Sequence, residues 1–188
     1  MAAITKQRMT VAEFLVWAEA QAEGRYELVD GEVQRMAPER LRHINRKAEV
    51  WLALRGAIRE AGLTNVVFTD GVGIVIDDGT SREPDVVVGA SSEYDPDALA
   101  VDDPLIVIEV VSPTSEKRDA VDKLADYFTL PSVRHYLLVR EENGQVDHHT
   151  RSGAGPIVKT ILRAGDILRL DPPGFAVKVA ALLGIEAA

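Results

Sequence analysis

The sequence predicts an α/β (α+β) domain built on a mixed β-sheet flanked by helices, and three observations carry that expectation. Leu105 to Val111 is aliphatic and β-branched but for one residue, the pattern of a strand buried on both faces of a sheet. A helical pattern follows it, then a second aliphatic run from Val133 to Val139, so strand, helix and strand read as a parallel crossover unit. Short strand-like segments separated by Gly and Asp turns fill much of the remaining chain.

The composition suits one domain spanning residues 1–188, with 46% hydrophobic residues and a mean hydropathy near zero. The absence of cysteine excludes disulfides, Cys-ligated zinc, iron–sulfur clusters and a thiol nucleophile, and it fits a cytoplasmic protein. No stretch approaches the roughly 20 apolar residues of a membrane span, so no membrane partner is expected. A net charge of −9 gives no overall basic footprint for nucleic acid. Local clusters exist at Arg35, Arg40, Arg42, Arg46 and Lys47, and at Lys117, Arg118 and Lys123; taken alone, such runs read as solvated helix faces.

Thr10 and Glu13 form a capping box, and Val11, Phe14, Leu15 and Ala18 lie at helical spacing, so a first helix should run to about Gln21. Tyr26–Val29 and Glu32–Met36 flank Asp30-Gly31, the dipeptide of a type I′ hairpin turn. A long helix follows from about Leu41 to Ala61, with Ile44, Ala48, Trp51, Leu52 and Ile58 expected inward and Gly62 as its cap. Strands near Val66–Thr69 and Val72–Ile76 lead through Asp77-Asp78-Gly79 to a strand begun by Pro84-Asp85. The polar segment from Ala90 to Pro104 reads as a surface loop. Beyond the Leu105 strand, a helix from about Ser115 to Thr129 should turn Val121, Leu124, Ala125 and Phe128 inward. The tail alternates strands at Val146–Thr150, Ile157–Leu162 and Ile167–Leu170 with turns, and ends in a short apolar helix near Ala180.

The exception in the aliphatic run is Glu109. A buried, unpartnered carboxylate costs several kcal/mol, so Glu109 requires a cation, a hydrogen-bond donor or its own proton. On the residues alone, a buried Lys or Arg and a metal ion stand about equal as that partner. If the strand after Pro84 neighbours that of Glu109, a reversal through the 90–104 loop brings Asp85 beside the end of Glu109's strand. Two carboxylates and the backbone carbonyl of Val110 then suit a hard divalent cation such as Mg²⁺. Lys123 lies one turn after Asp119 on the following helix, an i,i+4 pair that by itself is an ordinary surface feature. His148-His149 face opposite ways on a strand and make a poor metal site. No P-loop, dinucleotide fingerprint or nucleophile elbow is present.

The ordered set Tyr26-Glu27-Leu28-Val29-Asp30-Gly31-Glu32, Pro84-Asp85, Glu109-Val110-Val111-Ser112-Pro113, Asp119…Lys123…Tyr127 and His135-Tyr136-Leu137-Leu138-Val139 resembles the Uma two family, a branch of the PD-(D/E)XK nuclease superfamily. The resemblance spans about residues 9 to 183. It implies a restriction-endonuclease-like core, Mg²⁺ or Mn²⁺ at Asp85 and Glu109, and hydrolysis of DNA by metal-activated water. The lysine that the superfamily carries two residues after the glutamate is Val111 here, and Lys123 takes the place to which this branch moves it. The resemblance further implies a supporting role for Glu27 and a phosphate contact for His43. Ser112 is expected near the crevice, capping the next helix or supporting the substrate side of the site. Cutting two strands suits a homodimer. The rival reading is a catalytically inactive nuclease-fold module that binds DNA or another partner, which the acidic charge and Val111 favour; a third is a hydrolase of other phosphoesters.

Overall fold

The computed structural model of the chain describes residues 8–111, 119–140, 142–151, 153 and 155–185. Helix α1 spans Val11–Glu19, ending slightly earlier than its periodicity suggests, and its capping box forms: Thr10 Oγ1 accepts from the Glu13 N–H at 3.3 Å, and Glu13 Oε2 accepts from the Thr10 N–H at 2.9 Å. Strands β1 (Tyr26–Val29) and β2 (Glu32–Arg35) form the expected hairpin, with Asp30 and Gly31 at φ of 50° and 78° as a type I′ turn requires.

Helix α2 (Leu41–Glu60) has the expected length, and of its expected inward residues Ile58 is buried and Trp51 packs against the core, but the rest of the buried face differs. Ile44, Ala48 and Leu52 are exposed, Leu52 by 58%, whereas Lys47, Val50, Leu54, Ala57 and Ile58 are buried. The true stripe begins with a lysine. Apolar periodicity alone points away from that stripe, because Lys47 is buried by pairing with Glu39 just before the helix and with Asp70 and Asp85 farther along the chain.

Strands β3 (Val67–Thr69), β4 (Ile74–Asp77), β5 (Thr80–Arg82) and β6 (Val86–Gly89) come next. Strand β5, which the sequence suggests only as part of the approach to β6, is distinct: Ser81 pairs with Leu28 and so joins the N-terminal hairpin to a four-stranded antiparallel sheet, in the order β2-β1-β5-β4. Strands β7 (Pro104–Val111), β8 (His135–Arg140), β9 (Gln145–Arg151) and β10 (Ile157–Arg163) complete a six-stranded sheet with β6 and β3, ordered β10-β9-β8-β7-β6-β3. It is mixed, since β7 and β8 run parallel and the other neighbours antiparallel. The β7–β8 crossover carries α3 (Asp119–Tyr127), on which Ala125 is exposed rather than inward. A two-stranded unit of β11 (Ile167–Leu170) and β12 (Phe175–Lys178), the latter unforeseen, leads into α4 (Val179–Leu182).

Two hydrophobic clusters cover the two faces of the central sheet. On one, Val50, Leu54 and Ile58 of α2 pack with Ile106, Ile108, Leu137 and Val139. On the other, Tyr127 and Phe128 pack with Val87, Val107, Tyr136 and Leu138. The ends of α2 and α3 therefore approach the same end of the sheet from opposite sides.

Candidate active site

Asp85 immediately precedes β6, which pairs antiparallel with β7 in the register Val86 opposite Ile108. Strand β7 continues to Val111 past that last pair, so its edge beside Asp85 has backbone groups to satisfy. The Val110 N–H donates to Asp85 Oδ2 at 2.7 Å. A residue's N–H and C=O point toward the same neighbouring strand, so the Val110 carbonyl is presented along the same edge.

On the α3 side, Glu109 Oε1 accepts from Lys123 Nζ at 3.1 Å and from the Tyr127 hydroxyl at 3.0 Å. Lys123 is 6% exposed and its Nζ also lies 3.0 Å from Glu27 Oε1. A buried ammonium with two carboxylates is far from the exposed i,i+4 pair that its position on a helix suggests. Glu27 is also buried: its Oε1 accepts from the Glu83 N–H at 3.1 Å, and its Oε2 meets Arg82 Nη1 at 3.2 Å. Arg82 reaches on to Asp126 at 2.7 Å. Burial, with Asp85 and Glu27 nearby, outweighs the Lys123 ammonium and pushes the Glu109 carboxyl up to about 8. Burial and the Glu109 charge likewise raise the Tyr127 hydroxyl well above its usual range.

On the α2 side, His43 Nε2 stands 3.6 Å from Asp85 Oδ1, and Lys47 Nζ stands 3.6 Å from the same oxygen. Lys47 Nζ donates to Glu39 Oε1 at 2.7 Å and Asp70 Oδ2 at 2.6 Å. Arg25 ties Asp70, at 2.8 Å, to Glu83, at 2.6 Å. Burial pushes the Lys47 ammonium down, but Asp70 and Glu39 outweigh it and hold the group above its ordinary value. Contact with Asp85 raises the His43 imidazole against the opposing effect of burial. Burial also pushes the Asp85 carboxyl up, and its contacts with His43 and the Val110 N–H more than reverse that.

The two halves are bridged by Glu83, whose N–H serves Glu27 and whose carboxylate serves Arg25. The resulting network sets seven carboxylates, those of Glu27, Glu39, Asp70, Glu83, Asp85, Glu109 and Asp126, against the cations Arg25, Lys47, Arg82 and Lys123. Among the described residues these carboxylates outnumber the Lys and Arg groups that pair with them, and His43 beside Asp85 is a further titratable partner. Hard oxygen donors in charge excess fit a divalent cation. Among the described residues, the three side chains whose ligand atoms all lie within 4.8 Å of one another are Glu39, His43 and Asp85. Glu39, Lys47, Arg25 and Arg82 are not singled out by the sequence as site residues, since Asp70, Glu83, Asp85 and Asp126, which bring them together, come from separate segments of the chain. Ser112 and the basic pair Lys117-Arg118 lie outside the described residues. The histidines of β9 sit elsewhere: His148 Nε2 is 2.9 Å from His135 Nδ1, and His149 packs on Tyr136.

A mixed sheet flanked by helices, with acids and a lysine gathered at the open end of a β6–β7 hairpin, defines a restriction-endonuclease-like fold of the nuclease class. A crystal structure described as that of "a putative nuclease belonging to DUF820" from Anabaena variabilis ATCC 29413 superposes with a TM-score of 0.72 at 15% identity, covering 94% of this chain and 98% of that one. The Uma2 family model, described as "Putative restriction endonuclease", matches residues 11–180, and the chain belongs to that family. No curated protein matches it.

Proposed function

We propose that the chain is a Mg²⁺- or Mn²⁺-dependent endonuclease that hydrolyses DNA phosphodiester bonds, with Asp85, Glu109 and the Val110 carbonyl as metal ligands. Lys123 is its catalytic lysine and Glu27 its supporting carboxylate. The observation that carries this reading is the contact of Lys123 Nζ with Glu109 Oε1 at 3.1 Å, which brings a lysine from α3 to the glutamate of β7 although Val111 stands at the usual lysine position. A bound divalent ion supplies the Lewis acidity that activates water and offsets charge on the scissile phosphate. The chain supplies the rest. The Val110 N–H fixes Asp85 in orientation, Glu27 holds Lys123 toward the site, and the Lys123 ammonium can stabilise charge as it develops on phosphate oxygens.

The protein acts as one nuclease-like unit, in the cytoplasm, and as a homodimer that places a site on each strand of its substrate. Supercoiled plasmid incubated with Mg²⁺ or Mn²⁺ tests the reading. Wild type should nick or linearise it, and Asp85→Ala, Glu109→Ala and Lys123→Ala should not; equal behaviour of all four proteins sinks the assignment. A second reading, an inactive nuclease-fold module that binds DNA or another partner, draws on Lys47 and Lys123, which already offer the acids internal cations. Titration calorimetry separates the two, because the enzyme should give Mg²⁺ or Mn²⁺ binding heat that either carboxylate substitution removes.

A further inference from the structure

We propose that Glu39, His43 and Asp85 form a seat for a first-row divalent transition metal, taking it in preference to Mg²⁺, and that Lys47 is the internal cation this ion displaces. The inference rests on the metal-dependent reading above, because Asp85 is common to both, and it names the donors that would set metal choice.

The geometry points to it first. The donor atoms of Glu39, His43 and Asp85 lie within 4.8 Å of one another. His43 Nε2 and Asp85 Oδ1 are 3.6 Å apart, long for a hydrogen bond. Two donors each about 2.1 Å from one ion stand roughly 3.0–3.5 Å apart, so a small contraction converts this pair into two corners of a coordination shell. Asp85 is already divided in the required sense, with Oδ2 held by the Val110 N–H at 2.7 Å and Oδ1 turned toward α2.

The surroundings point the same way. His43 and Lys47 are one turn apart on α2, so imidazole and ammonium project from one face of the helix. Lys47 Nζ stands 2.7 Å from Glu39 Oε1 and 3.6 Å from Asp85 Oδ1, which makes it a positive charge held between two of the three donors. Its bond to Asp70, at 2.6 Å, gives it an anchor to keep when an ion takes Glu39. The side chains of Glu39 and His43 retain 18% and 22% of their exposure, which leaves room for water or a phosphate oxygen on an open coordination position.

The donor chemistry then decides the ion. Mg²⁺ favours an all-oxygen shell with several waters, whereas an imidazole nitrogen favours transition metals. One nitrogen with two carboxylates therefore discriminates between the two classes, which an Asp85–Glu109–carbonyl set of oxygens does not.

Manganese is the probe. Chelator-stripped full-length protein is titrated with Mn²⁺, free ion is counted by its electron paramagnetic resonance signal, and the bound ion is examined by pulsed methods for coupling to ¹⁴N. Wild type should show that coupling. His43→Gln should abolish it and weaken Mn²⁺ binding by about tenfold or more while changing Mg²⁺ affinity by less than about threefold; Glu39→Gln should weaken Mn²⁺ and keep the coupling. Lys47→Met should tighten Mn²⁺ binding, since a competing ammonium is gone. Bound Mn²⁺ without nitrogen coupling in wild type overturns the proposal whether or not any variant folds. If that ion still depends on Asp85 and Glu109, the nuclease reading survives; if no Mn²⁺ binds at all, this proposal falls, and plasmid cleavage with Mg²⁺ alone decides the nuclease reading.

Discussion

Glu109 gives the sharpest stability test, because the same carboxylate that the catalytic reading needs is one the fold holds at a cost. Burial raises its carboxyl from 4.5 to about 8, so between those values the folded protein holds a proton that the unfolded chain releases. The sign follows directly: the contribution to stability is fully present below about pH 4.5 and is lost as pH rises through about 8. At about 1.36 kcal/mol per pH unit, the loss between pH 5 and pH 8 is roughly 4 kcal/mol. Glu109→Gln removes the titration and keeps an amide beside Lys123 and Tyr127. Urea unfolding at pH 5, 6, 7 and 8 in chelator should therefore show the variant gaining on wild type with each step, by a total of a few kcal/mol. Saturating Mg²⁺ should shrink the difference by stabilising the wild-type carboxylate. Parallel curves in chelator, with a gap constant to within about 1 kcal/mol, would refute the reasoning, since Glu109 would then titrate alike in the folded and unfolded states.

Acid should act through a different residue. Burial, with His135 and His149 nearby, lowers His148 to about 4, so the unfolded chain binds the extra proton and stability is lost as pH falls from about 6.5 through 4. The expected loss is about 3 kcal/mol, read as a fall in melting temperature that His148→Leu should blunt. Val111→Lys, which restores a lysine on the Glu109 side of β7, should return plasmid cleavage to Lys123→Ala, itself expected to be down by about 100-fold or more; no recovery in a folded double variant argues against a transferable lysine role. Light scattering should give twice the 20.5 kDa chain mass. The outer edge of β10 has no strand partner among the described residues and exposes Val158 and Ile161, so antiparallel pairing of two copies about Thr160, the middle of the strand, should let Thr160→Cys form a disulfide in this cysteine-free chain; a monomer without cross-link removes that arrangement.

The backbone of the site was legible wherever the signal is local. Asp30-Gly31 dictates its turn through positive φ, and the aliphatic runs on either side of the 90–104 loop pair as β6 and β7, bringing Asp85 to Val110. The face of α2 was not legible by apolar residues alone. His43, Lys47, Val50, Leu54 and Ala57 follow a four-three-four-three spacing along one side of the helix, apolar in its later half and ionisable in its first. That stripe is in the sequence. What the sequence conceals is the reason for its first half, because Glu39, Asp70 and Asp85 come to Lys47 from three separate segments. The same holds for Lys123, whose local partner Asp119 suggests a surface pair while its described contacts are Glu27 and Glu109.

Those long-range partnerships bear on function as well as on fold. Burying one charge costs several kcal/mol, and attraction to a partner repays that only with good geometry and further hydrogen bonds, so apolar residues of similar volume often serve stability equally well or better. Lys47 lies directly above Val50 and Leu54 on the core stripe, where methionine or leucine would continue the pattern. Glu109 lies between Ile108 and Val110 in a strand that is otherwise aliphatic. An end of the sheet that buries Lys47, Arg82 and Lys123 against Glu27 and Asp85, with Glu109 beside them, is a costly way to stabilise a fold. A protein that must attract a divalent ion, hold a lysine near it and still fold without the ion needs such an end, with internal ammonium groups that moderate the repulsion. On the proposed metal-dependent reading, the charges gathered around Asp85 and Glu109 have a use that fold stability alone does not give them, whichever of Val111 and Lys123 stands at the superfamily's lysine position.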